Sequence, residues 1–150
     1  MGLTGQDVKE ILKQFELDVN RLVGEWVIHG TLKLLVDYDD TISPYRHCTQ
    51  EQCNEVIELV LEAMRIGAHI IIHTAGHENN YPNIHKYCVS KGIEVASINK
   101  NPVEMTFGNW GKPYGNWILD DRAGLIYSMR VLREAMKLVR FHNEKIKPNL

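Results

Sequence analysis

Cysteine is scarce in this chain. There are three, Cys48, Cys53 and Cys88, an odd number with no CxxC spacing. That argues against a disulfide-built scaffold and fits a reducing compartment. His77, His85 and Cys88 match no common zinc spacing. An excess of one charge is lacking too. Lys and Arg number 17 against 19 Asp and Glu, a formal net charge of −2. This argues against a protein built mainly to coat nucleic acid or an anionic membrane, although a local basic groove stays open. No apolar run approaches the ~20 residues that cross a bilayer. Met1 leads into a polar, helix-like segment rather than a signal peptide. The expectation is a cytoplasmic protein with no membrane partner. Repeats, low-complexity tracts and linkers are also missing. What remains is ordinary globular material, 44% apolar and 24% charged over 150 residues, enough for a single domain, 1–150, with a real core.

The periodicity predicts alternating helices and strands. Thr4 can cap a helix over 5–22, with Val8, Ile11, Leu12, Phe15, Val19 and Leu22 on one face. Residues 1–23 read as an accessory N-terminal helix. Glu25–His29 and Leu32–Tyr38 read as two strands around Gly30-Thr31, the second apolar on both faces like a buried parallel strand. Thr49-Gln-Glu-Gln52 is a capping-box pattern opening a helix that Gly67 would stop. Ala68–His73 reads as a strand, 81–91 as a helix and Ile93–Ile98 as a strand. Residues 99–115 read as a loop, Asn116–Leu119 as a strand and about 123–144 as a terminal helix. This order predicts a three-layer α/β/α, Rossmann-like parallel sheet with an N-terminal helical extension.

The apolar run LKLLV passes straight into Asp37-Tyr-Asp39-Asp40-Thr41. Carboxylates this close repel one another, and beside an apolar interior they are costly. Residues two apart in an extended chain point the same way, so Asp37 and Asp39 can face one ligand. Two other strands end in polar groups, His73-Thr74-Ala75-Gly76 and Asp120-Asp121. In a parallel sheet the carboxyl ends share one edge, and ligands bind where the strand order reverses. With the first strand central, these groups converge on a site suited to a hard divalent cation and a phosphate. Lys112, just before the last strand, can hold a phosphoryl group as a point charge. Asp40 can help turn the chain.

These residues resemble a family. DYDDT looks like the first motif, DxDx[T/V], of the haloacid dehalogenase superfamily of phosphatases. IIIHTAG resembles its second motif, and KPYGNWILDDRA its third and fourth. The resemblance spans residues 32–123. It implies a Mg²⁺-dependent phosphomonoester hydrolase with an aspartyl-phosphate intermediate. Asp37 would be the nucleophile and Asp39 the general acid and base. Thr74 would hydrogen-bond the phosphoryl oxygens, Ala75 and Gly76 would line the phosphate site, and Lys112 would neutralise charge. Mg²⁺ would be held by the Asp37 carboxylate, the Asp39 carbonyl and one acid of the Asp120/Asp121 pair. The family's Gly-Asp form of that motif favours Asp121.

The chain departs from the pattern in two ways. Helices and loops fill the intervals between motifs, leaving no room for a cap domain. The resemblance then implies a large substrate, or a second subunit covering the site, hence a homo-oligomer. The segment after Thr74 also lacks an arginine that relatives often carry. Lys100 is a rival for the lysine role. The substrate class stays open among small phosphate esters, nucleotides, nucleic-acid ends and phosphoproteins. The alternatives are a signalling receiver domain, disfavoured because the paired acids follow the lysine, and a non-catalytic phosphate- or Mg²⁺-binding scaffold.

Overall fold

The computed structural model describes residues 2–102 and 113–147. Its first element is a 25-residue helix, α1, Gly5–His29. Thr4 and Asp7 close a capping box at its start, and Gly30 ends it with φ 66, a left-handed geometry that glycine adopts without penalty. The strand expected over Glu25–His29 is therefore wrong. Its Trp, Val and Ile favour strand locally, but Trp26 lies one helical turn beyond Leu22, and both are buried in the core. Packing on that stripe outweighs local propensity.

The remaining elements follow the expected order. Strand β1 is Leu32–Asp37, helix α2 is Gln50–Arg65, and strand β2 is Ala68–His73. A short 3₁₀ turn, Glu78–Asn80, leads into α3, Tyr81–Ser90. Strand β3 is Val95–Ile98, β4 is Trp117–Leu119, and α4 is Leu125–Ile146. The Thr49/Gln52 capping box forms as its spacing predicts. The four strands make one parallel sheet in the order β3-β2-β1-β4. Helices flank it. The order reverses beside β1, so the chain leaving β1 and the chain leaving β4 end next to each other.

One apolar cluster unites the elements. Leu32, Leu34 and Val36 of β1 and Ala68, Ile70 and Ile72 of β2 project the same way and meet buried residues from all four α-helices. Alternate residues such as Leu35 and Ile71 are buried on the opposite face. There Gly115 runs against β1; a Cβ at that position would overlap the Leu35 side chain.

Trp26 ties α1 to this cluster. It is 1% exposed, and its indole N–H donates to the Ile66 carbonyl at 3.0 Å. Trp26→Ala should lower stability by about 3–5 kcal/mol, read as a lower urea midpoint. A loss below about 1 kcal/mol would mean that α1 is dispensable to the core.

Candidate functional site

The carboxyl ends of β1, β2 and β4 open into a cleft of about 790 Å³. Its lining includes Asp37, Asp39, His73, Thr74, Ala75, Asp120 and Asp121. The motif-bearing strand ends therefore converge where the topology predicts.

Asp37 is anchored by a buried neighbour. Thr41, 1% exposed, donates its hydroxyl to Asp37 Oδ2 at 3.0 Å and accepts the Asp121 backbone N–H at 3.1 Å. One threonine thus locks the end of β1 to the chain leaving β4. Behind it the chain wraps around a single carbonyl, with the N–H groups of Ile42 and Ser43 donating to Tyr38 O at 3.1 and 3.0 Å.

Among the described residues, no lysine or arginine forms an ion pair with the acids of this cleft. The Asp37 carboxyl is pushed up to about 7. Burial is the main cause; Asp120 and Asp121 add to it, and the Thr41 hydrogen bond pulls the other way. Asp39 is also raised, by burial and then by Asp40 and Asp121. A raised pKa favours the protonated form, which is the form a general acid uses.

His73 was expected among the polar strand ends that converge on the site, but with no role of its own. It pairs in register with Asp37, so the two side chains leave the sheet on the same face. Its Nε2 is buried and has no hydrogen-bond partner among the described residues. The nearest carboxylate oxygen, Asp120 Oδ2, is 3.6 Å away, too long for a good hydrogen bond. Burial lowers the imidazole pKa, with Asp120 opposing, which favours a neutral ring with a free lone pair. Asp37, His73 and Asp120 each offer one ligand atom within 4.8 Å of the others. An orphaned imidazole nitrogen between two carboxylates fits a metal ion.

Asp121 was favoured over Asp120 for the metal on family form. Here Asp120 joins the group with His73, while Asp121 interacts with the Asp37 carboxyl. Both acids therefore interact with Asp37.

Thr74 is held by a residue from β3's end. Its N–H donates to Asn99 Oδ1 and its carbonyl accepts from Asn99 Nδ2, both at 2.8 Å. Asn99 adopts φ 53, a conformation asparagine tolerates, and its N–H bonds Ile72 O at 2.8 Å. Thr74 Oγ1 accepts the Gly76 N–H at 3.0 Å, leaving its own proton to donate. Ala75 lines the cleft, whereas Gly76 is not part of its lining. Lys112 lies outside the described residues, though its neighbour Pro113 lines the cleft. Lys100, the rival lysine, is exposed and does not line it.

Two further basic groups, Arg46 and Arg122, stand on the wall of this cleft. Neither was singled out from sequence, because nothing in the motif spacing points to them.

No family model matches this chain, and no curated protein matches it. Among solved structures it is similar to a conserved protein from Bacteroides thetaiotaomicron, at 22% identity and a TM-score of 0.54. The match covers 67% of this chain and 89% of that one. At that identity the likeness supports the fold alone. Among the described residues no helix is long and apolar enough to cross a membrane.

Proposed function

We propose that this protein is a divalent-cation-dependent phosphomonoester hydrolase of the haloacid dehalogenase type, with Mg²⁺ as its expected cofactor. The observation that carries the reading is the Thr41-anchored Asp37, half-buried among Asp39, Asp120 and Asp121 at the strand ends. Such a cluster is a poor stability device and a good site for a hard divalent cation, whose shell can take a substrate phosphate.

The chemistry follows from the roles of the side chains. An Asp37 oxygen attacks phosphorus, forming an acyl phosphate as the ester P–O bond breaks. Asp39 gives its proton to the departing alkoxide. It then takes a proton from water, whose oxygen attacks the phosphorus of the intermediate, freeing Asp37 and orthophosphate. Thr74 donates its hydroxyl proton to a phosphoryl oxygen. Lys112 would supply a positive charge beside the transferring group. Asp37, the Asp120/Asp121 pair and His73 would hold the cation, which would supply the charge cancellation that lets an anionic nucleophile approach an anionic ester.

The test is hydrolysis of p-nitrophenyl phosphate with Mg²⁺ and with chelator, in parallel with a nucleotide panel. The expected result is turnover that the chelator removes. A protein that hydrolyses none of these esters, with Mg²⁺ or with Mn²⁺, would reduce the reading to a metal-binding scaffold.

A further inference from the structure

The proposed chemistry gives no task to Asp40, yet it is the most heavily hydrogen-bonded acid in the cleft. It is 5% exposed and adopts φ 57. Its Oδ1 accepts four successive backbone N–H groups, from Tyr45 at 3.0 Å, Arg46 at 2.9 Å, His47 at 3.0 Å and Cys48 at 3.1 Å. Oδ2 takes a second share of the Arg46 N–H at 3.2 Å. A ring of N–H donors around one anion is a nest, here filled by the protein's own carboxylate.

The consequence is a loop of exposed side chains on a fixed backbone. Tyr45, Arg46 and His47 all line the cleft. The Arg46 guanidinium lies 4.9 Å over the Tyr45 ring, and its Nη2 donates to the Tyr45 hydroxyl at 3.2 Å. Among the described residues, none of the ion pairs involves Arg46. So an arginine is held in place and its charge is left unmatched.

The size of the cleft adds a second argument. At about 790 Å³ it matches pockets for whole small molecules rather than for a phosphoryl group alone. Its floor is acidic and would repel any further anion on the substrate. Of the two arginines on the wall, Arg46 is the one whose backbone N–H is held by the Asp40 carboxylate, and it can bind such an anion. Its planar fork pairs bidentately with a carboxylate or a phosphate.

We propose that Arg46, positioned by Asp40, is a specificity-determining residue that binds a second anionic group on the substrate. The substrate would be a phosphomonoester that also bears a carboxylate or a second phosphate. This rests on the phosphatase reading.

Calorimetric titration with phosphonates in the presence of Mg²⁺ tests it, because the proposed chemistry does not cleave a C–P bond. Methylphosphonate reports the phosphoryl site alone. Carboxyalkylphosphonates and alkyl bisphosphonates of increasing chain length add the second anion and separate its two sources. The wild type should bind the best of these about tenfold or more tightly than methylphosphonate. Arg46→Ala should erase that advantage while leaving methylphosphonate affinity unchanged. Arg46→Lys should keep part of it, and Asp40→Asn should reduce it with Arg46 still present. If no chain length outbinds methylphosphonate in the wild type, the inference is overturned and the phosphatase reading survives. An equal loss for every probe in Arg46→Ala overturns it too. If the wild type binds no phosphonate at all, methylphosphonate included, the phosphatase reading fails and takes the inference with it.

Discussion

Asp37→Asn is expected to abolish hydrolysis, by about 10³-fold or more, and to stabilise the metal-free protein above pH 7. The first effect follows from the amide being unable to act as a nucleophile toward phosphorus. The second follows from the carboxyl's surroundings. Its pKa moves from 3.8 in the unfolded chain to about 7 in the fold. Between those values the native state holds a proton that the unfolded state has lost, so native stability falls as pH rises through this window. Above pH 7 both states are ionised and the full penalty stands. Unscreened, the shift corresponds to ~4 kcal/mol. Asp37 is only half-buried, so screening leaves about 1–2 kcal/mol. Asparagine has a similar shape and no charge, and should recover that amount. Urea denaturation with chelator at pH 5 and pH 8 measures it. The variant should gain on the wild type at pH 8 and match it more closely at pH 5. A variant less stable than the wild type at pH 8 would show that burial and the neighbouring acids do not burden the Asp37 carboxylate.

Much of this architecture could be read along the chain, because its signals are local. The apolar run of β1 ends abruptly in acids. Thr49 and Gln52 sit at capping-box spacing. Motifs at three strand ends imply one shared edge once the sheet is parallel. What escaped depends on contacts between distant segments. Trp-Val-Ile at 26–28 reads as strand on propensity alone. Only the continuation of the Val19–Leu22–Trp26 stripe, stopped by Gly30, carries the helical signal, and that stripe outlasts the expected end at residue 22. His73 looks like the last residue of a buried strand; its role depends on register with Asp37, which no single segment encodes. Asn99 holds Thr74 from 25 residues away. Asp40 was read as a turn residue. It does turn the chain, but its carboxylate also collects four N–H groups from a loop whose path the sequence does not fix.

Metal affinity should depend on pH and on His73 in separable ways. A cation ligated by Asp37 must displace the proton that this carboxyl holds below about pH 7. The apparent Kd should therefore fall about tenfold per pH unit from pH 5 towards 7 and then level off. Asp37→Asn should bind more weakly and lose that slope. The His73 nitrogen acts on selectivity instead. Mg²⁺ prefers oxygen donors, whereas imidazole suits Mn²⁺, Fe²⁺ and Zn²⁺. With Asp37 and Asp120 as its companions, His73 should make the centre bind Mn²⁺ more tightly than Mg²⁺. His73→Gln should weaken Mn²⁺ binding by about 10–100-fold and affect Mg²⁺ less. Electron paramagnetic resonance of the Mn²⁺-loaded protein gives a readout independent of turnover. Coupling to a ¹⁴N nucleus should be present in the wild type and absent in His73→Gln. Mn²⁺ bound with no nitrogen coupling would remove His73 from the ligand set. The centre would then be all oxygen, and the buried Nε2 would need another partner, most directly a proton shared with Asp120 across the present 3.6 Å.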